Sequence, residues 1–229
     1  MGAWFGRQEV QQNHLKEDSG LLLEGWQDEP GYVSLPAISR LLFVGNERSP
    51  ACGLFGTVVS TTVPKDKQAQ PQPELSTHTL HFDDCHGAET PEQVKLATER
   101  IVQGAIFAAA SIRAGKRTLV NCSWGQNRSC SVCCAYAVLF LNWSTQDAIG
   151  YVSSQNLKER RYDGQKPMHN KAFNRIVELV EEQRDSIIAE HGLGKDGRAS
   201  KGRLLPLAFA FLLTGGALLA TMKALRRAP

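Results

Sequence analysis

Seven residues, Cys122 to Arg128, hold the groups in this chain best suited to covalent chemistry. The run Thr118-Leu-Val-Asn-Cys-Ser-Trp-Gly-Gln-Asn-Arg-Ser129 is β-branched and apolar up to its cysteine. Five residues separate that cysteine from the arginine, and a long apolar segment follows. A strand that delivers a thiol into a tight loop at a helix N-terminus builds an anion site. Successive backbone N–H groups curl around the anion, and the helix end adds partial positive charge. The same field favours a thiolate over a thiol. Arg128 offers a planar fork that matches two phosphate oxygens. The bland alternative is a core cysteine at a strand end beside a surface arginine. The strand before, Gly125 within and the helix after favour the phosphate loop.

Cys122-x5-Arg128-Ser129 resembles the active-site loop of the protein tyrosine phosphatase superfamily, and its surroundings look like the dual-specificity branch across residues 38–190. The resemblance implies phosphoester hydrolysis through a cysteinyl phosphate, with Cys122 as nucleophile and Arg128 on the phosphoryl oxygens. The substrate-binding groups would be the amides of Ser123, Trp124, Gly125, Gln126, Asn127 and Arg128. Ser129 stands where the family keeps a hydroxyl that helps the sulfur leave; otherwise it is a helix N-cap. The acid is expected at Asp84, with Asp83 as the alternative. Neither a cofactor nor a metal is implied. Asn121 replaces the family's histidine, so the thiol is expected to work with less electrostatic help. Trp124 and Gln126 are also unusual. The loop has no lysine, which weighs against highly anionic phosphoinositides. The leading expectation is a phosphatase of phosphoserine, phosphothreonine or phosphotyrosine in proteins. The alternatives are a pseudophosphatase that binds phosphorylated partners and a lipid phosphatase.

The elements that must position these groups are legible in outline. Residues 40–44, 57–62 and 77–82 read as strands, and 64–76 as a polar loop. Thr90-Pro91-Glu92-Gln93 supplies an N-cap, a first-turn proline and a capping-box glutamine. Val94, Ala97, Ile101, Ala105, Ala108 and Ile112 then recur at helical spacing until Gly115. Residues 117–121 form the strand into the loop, and 129–143 a buried helix. Another helix begins at Ser144, and residues 170–191 predict one amphipathic helix. Strands alternating with helices give an α/β domain with a mainly parallel sheet over residues 38–191. Residues 1–37 remain an unassigned extension.

The formal net charge is +3. Residues 195–229 hold seven basic side chains and one acidic, which leaves the rest negative and argues against nucleic-acid binding by the domain. The six cysteines form no secreted scaffold, and no signal-peptide pattern opens the chain. Cys130-x-x-Cys133 lacks the second pair a zinc site needs. Cys85, beside the expected acid, is a candidate disulfide partner for Cys122 on oxidation. Residues 192–203 read as a basic, Gly-rich linker. Residues 204–222 carry no charge and are long enough to span most of a bilayer core of about 30 Å. With the short basic tail 223–229, they predict a tail-anchored membrane protein whose catalytic domain faces the cytosol. The membrane would be mitochondrial outer, peroxisomal or endoplasmic reticulum.

Overall fold

The computed structural model describes residues 31–62, 75–84, 89–159 and 166–193. A five-stranded sheet is built from β1 (Tyr32–Ser34), β2 (Leu42–Gly45), β3 (Thr57–Ser60), β4 (Ser76–Thr79) and β5 (Thr118–Asn121). Its order is β1-β2-β5-β3-β4, with β1 antiparallel to β2 and every other pair parallel. The expected α/β class and mainly parallel sheet are both present. All four residues of β5 are buried, as parallel strands covered on both faces are.

Strand β5 lies between β2 and β3. Gly45 and Ser60 both pair with Asn121, so the three strands end level. In such sheets, ligands bind just beyond the carboxyl ends of the strands, where the strand order switches. The cysteine loop leaves the sheet at that place.

Five α-helices are described: α1 (Pro91–Arg113), α2 (Arg128–Leu141), α3 (Thr145–Glu159), α4 (Lys171–Glu182) and α5 (Arg184–Glu190). The α1 cap is the expected one. Thr90 Oγ1 accepts from Gln93 N, Gln93 Oε1 accepts from Thr90 N, and the helix closes into Gly115 at φ 76°. Helix α2 buries every residue from 129 to 139 and is the centre of the core. Gly104 lets α1 approach it, since a Cβ there would lie 3.0 Å from Val132 Cγ1.

Three expectations need correction. The ladders are shorter than the apolar runs: the predicted strand 77–82 pairs only over Ser76–Thr79, although its alternation continues to Phe82. Residues 170–191 form two helices rather than one, broken at Gln183. Arg184 Nε there donates to the Val138 carbonyl of α2, a tertiary tie that helical periodicity does not foresee. Finally, residues 32–34 belong to the sheet although they fall within the unassigned extension. A three-residue edge strand is too short to show alternation.

Residues 1–30, Cys85, the expected membrane span 204–222 and the tail 223–229 lie outside the described residues. Among the described residues no helix is long and apolar enough to cross a membrane.

Candidate active site

The loop begins where β5 ends. Cys122 is buried at 3 % exposure, and its own N–H donates to Gly45 O at 3.3 Å, which continues the β2 ladder one step. The sulfur receives Gly125 N–H at 3.1 Å and lies 3.3 Å from Ser129 Oγ. Ser129 is fully buried in the first turn of α2. The N-cap position falls to Asn127, whose side chain makes no capping hydrogen bond, so the N-cap alternative for Ser129 does not hold. The first-turn N–H groups of α2 therefore lack a side-chain cap, which suits an anion.

The loop's carbonyls are tied outward one after another. Ser123 O accepts from Glu47 N at 3.4 Å, Gly125 O from Cys130 Sγ at 3.4 Å, and Gln126 O from Met168 N at 3.1 Å. In a trans peptide the next N–H points opposite to the carbonyl. Tying those three oxygens outward turns the N–H groups of Trp124, Gln126 and Asn127 the other way, into the loop. Gly125 takes φ 70°, a conformation glycine adopts without strain.

Arg128 sits over this ring with its side chain 11 % exposed. One terminal nitrogen lies 3.4 Å from Ser123 Oγ and 3.8 Å from Asp84 Oδ2, and the other donates to Phe82 O at 3.4 Å. Its Nε is buried with no acceptor. A buried cationic donor without an acceptor is costly, and a bound oxyanion would satisfy it. The carboxylate partner is Asp84, not Asp83. Leu80 and Phe82 are buried, Phe82 edge-on to Phe173, and the two-residue alternation carries Asp84 to the same side. Asp83 is 81 % exposed and lies 3.8 Å from His81.

Asn121, the residue before the cysteine, donates from Nδ2 to Asn46 O at 3.4 Å. Asn46 Oδ1 in turn accepts from the backbone of Arg48 and Ser49 and from the Ser49 hydroxyl. Residues 45–49 thus brace one side of the loop. Trp124 is 63 % exposed at the rim. Cys133 and Cys134 are fully buried, and burial pushes both thiols well up from their ordinary value. Among the described residues no group of His, Cys, Asp or Glu is arranged to hold a metal ion.

The arrangement offers a nucleophilic sulfur, a ring of inward N–H groups, a guanidinium and a carboxylate on one opening. A family model described as dual specificity phosphatase, catalytic domain, matches residues 57–189, more than half of the chain. The chain belongs to the dual specificity phosphatases. It is a cysteine-dependent phosphatase. A mouse dual specificity phosphatase solved with zinc tungstate is 20 % identical, at a TM-score of 0.53, covering 72 % of this phosphatase and 97 % of that chain. Human DUSP28 is 21 % identical at a TM-score of 0.50, covering 68 % and 96 %. At such identities the likeness speaks for the fold. No curated protein sequence matches the chain.

Of the residues singled out from sequence in this phosphatase, Cys122 contacts Gly125 and Ser129, Arg128 reaches Ser123 and Asp84, and Trp124 stands exposed. The braces from Gly45–Ser49, Cys130 and Met168 were missed. Only Asn46 and Ser49, turn-forming residues three apart after a strand, left a local signal. Met168 holds φ 54°, a conformation uncommon for a side chain of its size, and nothing in its type announces that.

Proposed function

We propose that this phosphatase hydrolyses phosphoserine, phosphothreonine or phosphotyrosine esters in proteins, and does so at a membrane surface. Cys122 thiolate attacks phosphorus. The S–P bond forms as the ester P–O bond breaks, and Asp84 gives its proton to the departing oxygen. The inward amides and Arg128 hold the equatorial oxygens. Water then attacks phosphorus and passes a proton back to Asp84. The S–P bond breaks, inorganic phosphate leaves, and Ser129 donates to the returning thiolate.

The observation that carries this reading is the position of Arg128, within reach of both Ser123 in the loop and Asp84 outside it. A site meant only to hold a phosphate needs no acid beside the cation. The loop carries no lysine, which favours singly phosphorylated protein esters over polyphosphorylated lipids.

The apolar run 204–222 supports a tail anchor in the outer mitochondrial, peroxisomal or endoplasmic reticulum membrane, with the catalytic domain in the cytosol. Full-length protein, assayed on phosphopeptides and on phosphoinositide vesicles, tests the substrate class. Higher kcat/KM on phosphopeptides supports the proposal, and preference for the vesicles overturns it. Binding of phosphopeptides without turnover would make the protein a pseudophosphatase. Sedimentation with membranes, lost on removing residues 204–229, tests the anchor; a soluble full-length protein would exclude it.

A further inference from the structure

We propose that Asn156 and Cys130 form a positioning relay that sets the Gly125–Gln126 peptide for transition-state binding. It deepens the reading of Cys122 as nucleophile and rests on it.

Asn156 lies on α3 and Cys130 on α2, both with no exposure to solvent. Asn156 Nδ2 donates to Cys130 Sγ at 3.1 Å, and Cys130 Sγ donates to Gly125 O at 3.4 Å. The order of donation is imposed by chemistry. A thiol has one proton, and the Asn156 amide nitrogen that faces it carries only donors. The Cys130 proton is therefore turned away from Asn156 and toward the carbonyl. A buried amide needs partners, and a buried cysteine that only filled space would not need to lie between an amide and a loop carbonyl.

Gly125 is the place in the loop where such a tie matters most. Its φ of 70° and its lack of Cβ leave its flanking peptides the least restrained sterically. Its N–H is held by the nucleophile's sulfur at 3.1 Å, and its C=O by Cys130. Releasing the carbonyl lets the Gly125–Gln126 peptide rotate, which takes the Gln126 N–H off the phosphoryl oxygens. Asn156 stands 34 residues from the nucleophile in sequence and is fully buried on α3. It acts through Cys130, as a positioning residue.

The test uses full-length protein, with turnover of an aryl phosphate and inhibition by two oxyanions. Vanadate mimics the five-coordinate transition state, and inorganic phosphate mimics the ground state. Cys130→Ala should lower kcat/KM and vanadate affinity together by about tenfold, less than the ~10²–10³ for removing an oxyanion donor outright. Phosphate affinity should change by about twofold or less, because only transition-state contacts are misaligned. Cys130→Ser keeps a donor and should restore most of the loss. Asn156→Leu removes the far donor without touching the loop, and serves if Cys130→Ala does not fold. The double variant should lose no more than the worse single one, as members of one relay are non-additive. A lowered Tm with unchanged kcat/KM and unchanged vanadate-to-phosphate ratio would reduce the pair to core packing and overturn the proposal. Additive losses would do the same. A wild-type protein without turnover would sink the Cys122 reading instead, while the oxyanion ratio would still report on the relay.

Discussion

Arg128 and Asp84 meet at 3.8 Å, the guanidinium from the start of one helix and the carboxylate from the segment after β4. That contact joins the two parts of the site that come from different places in the chain. It also separates Asp84 from its neighbour, since Asp83 faces solvent.

Exchange of the two aspartates gives opposite results. Asp84→Asn should lower kcat on an alkyl phosphate by about 10²–10⁴, the range for a lost general acid. The loss should shrink on a substrate with a good leaving group. Asp83→Asn should leave kcat near wild type. A larger loss for Asp83→Asn would reverse the assignment.

Arg128→Lys keeps the charge and discards the fork. Loss of bidentate contact should cost about 10²–10³ in kcat/KM while urea unfolding changes little. Activity within a few-fold of wild type would mean that the guanidinium does not grip the phosphoryl group.

Ser129→Ala removes the hydroxyl 3.3 Å from the sulfur. A hydrogen bond to a charged group is worth about 1.5–3 kcal/mol, so release of the thiolate should slow roughly 10–100-fold. Stopped-flow traces should then show a burst of product equal to the enzyme present. Slowed turnover without a burst would place Ser129 in the first step or in folding.

Thiol labelling separates the cysteines. Cys133 and Cys134, whose thiols burial holds well above their ordinary value, remain protonated at neutral pH and should resist iodoacetate. Cys122 should be labelled, and vanadate should protect it. Labelling of Cys133 or Cys134 ahead of Cys122 contradicts this.

Packing between α1 and α2 depends on Gly104, where even a Cβ would stand 3.0 Å from Val132 and 3.3 Å from Leu80. Gly104→Leu should destabilise by about 1–3 kcal/mol through overpacking, seen as a lower urea midpoint. An unchanged midpoint would show that the helices shift apart freely.

What the sequence disclosed followed from local chemistry. The Thr90–Gln93 capping box, the apolar stripe of α1 and the Cys122–Ser129 loop each depend on residues within one turn or one strand. Asp84 stood ahead of Asp83 through the family resemblance, and the structure sets it beside Arg128 while Asp83 faces solvent. The contacts that shape the loop were not legible. Glu47, Asn156 and Met168 act through hydrogen bonds to residues far off in sequence, and Cys130 reaches back five residues to Gly125 with a side chain that reads from sequence as core. Strand β1 is three residues long, and the break at Gln183 goes with a tie from Arg184 to α2. Neither leaves a periodic signal.

The covalent intermediate is the most direct test. Full-length protein mixed with an aryl phosphate and quenched in acid within one turnover should yield a Cys122 peptide heavier by one phosphoryl group. Cys122→Ser should yield none while it still binds vanadate. Product release with no phosphoryl group on Cys122, or with one on another residue, would contradict the mechanism at its first step.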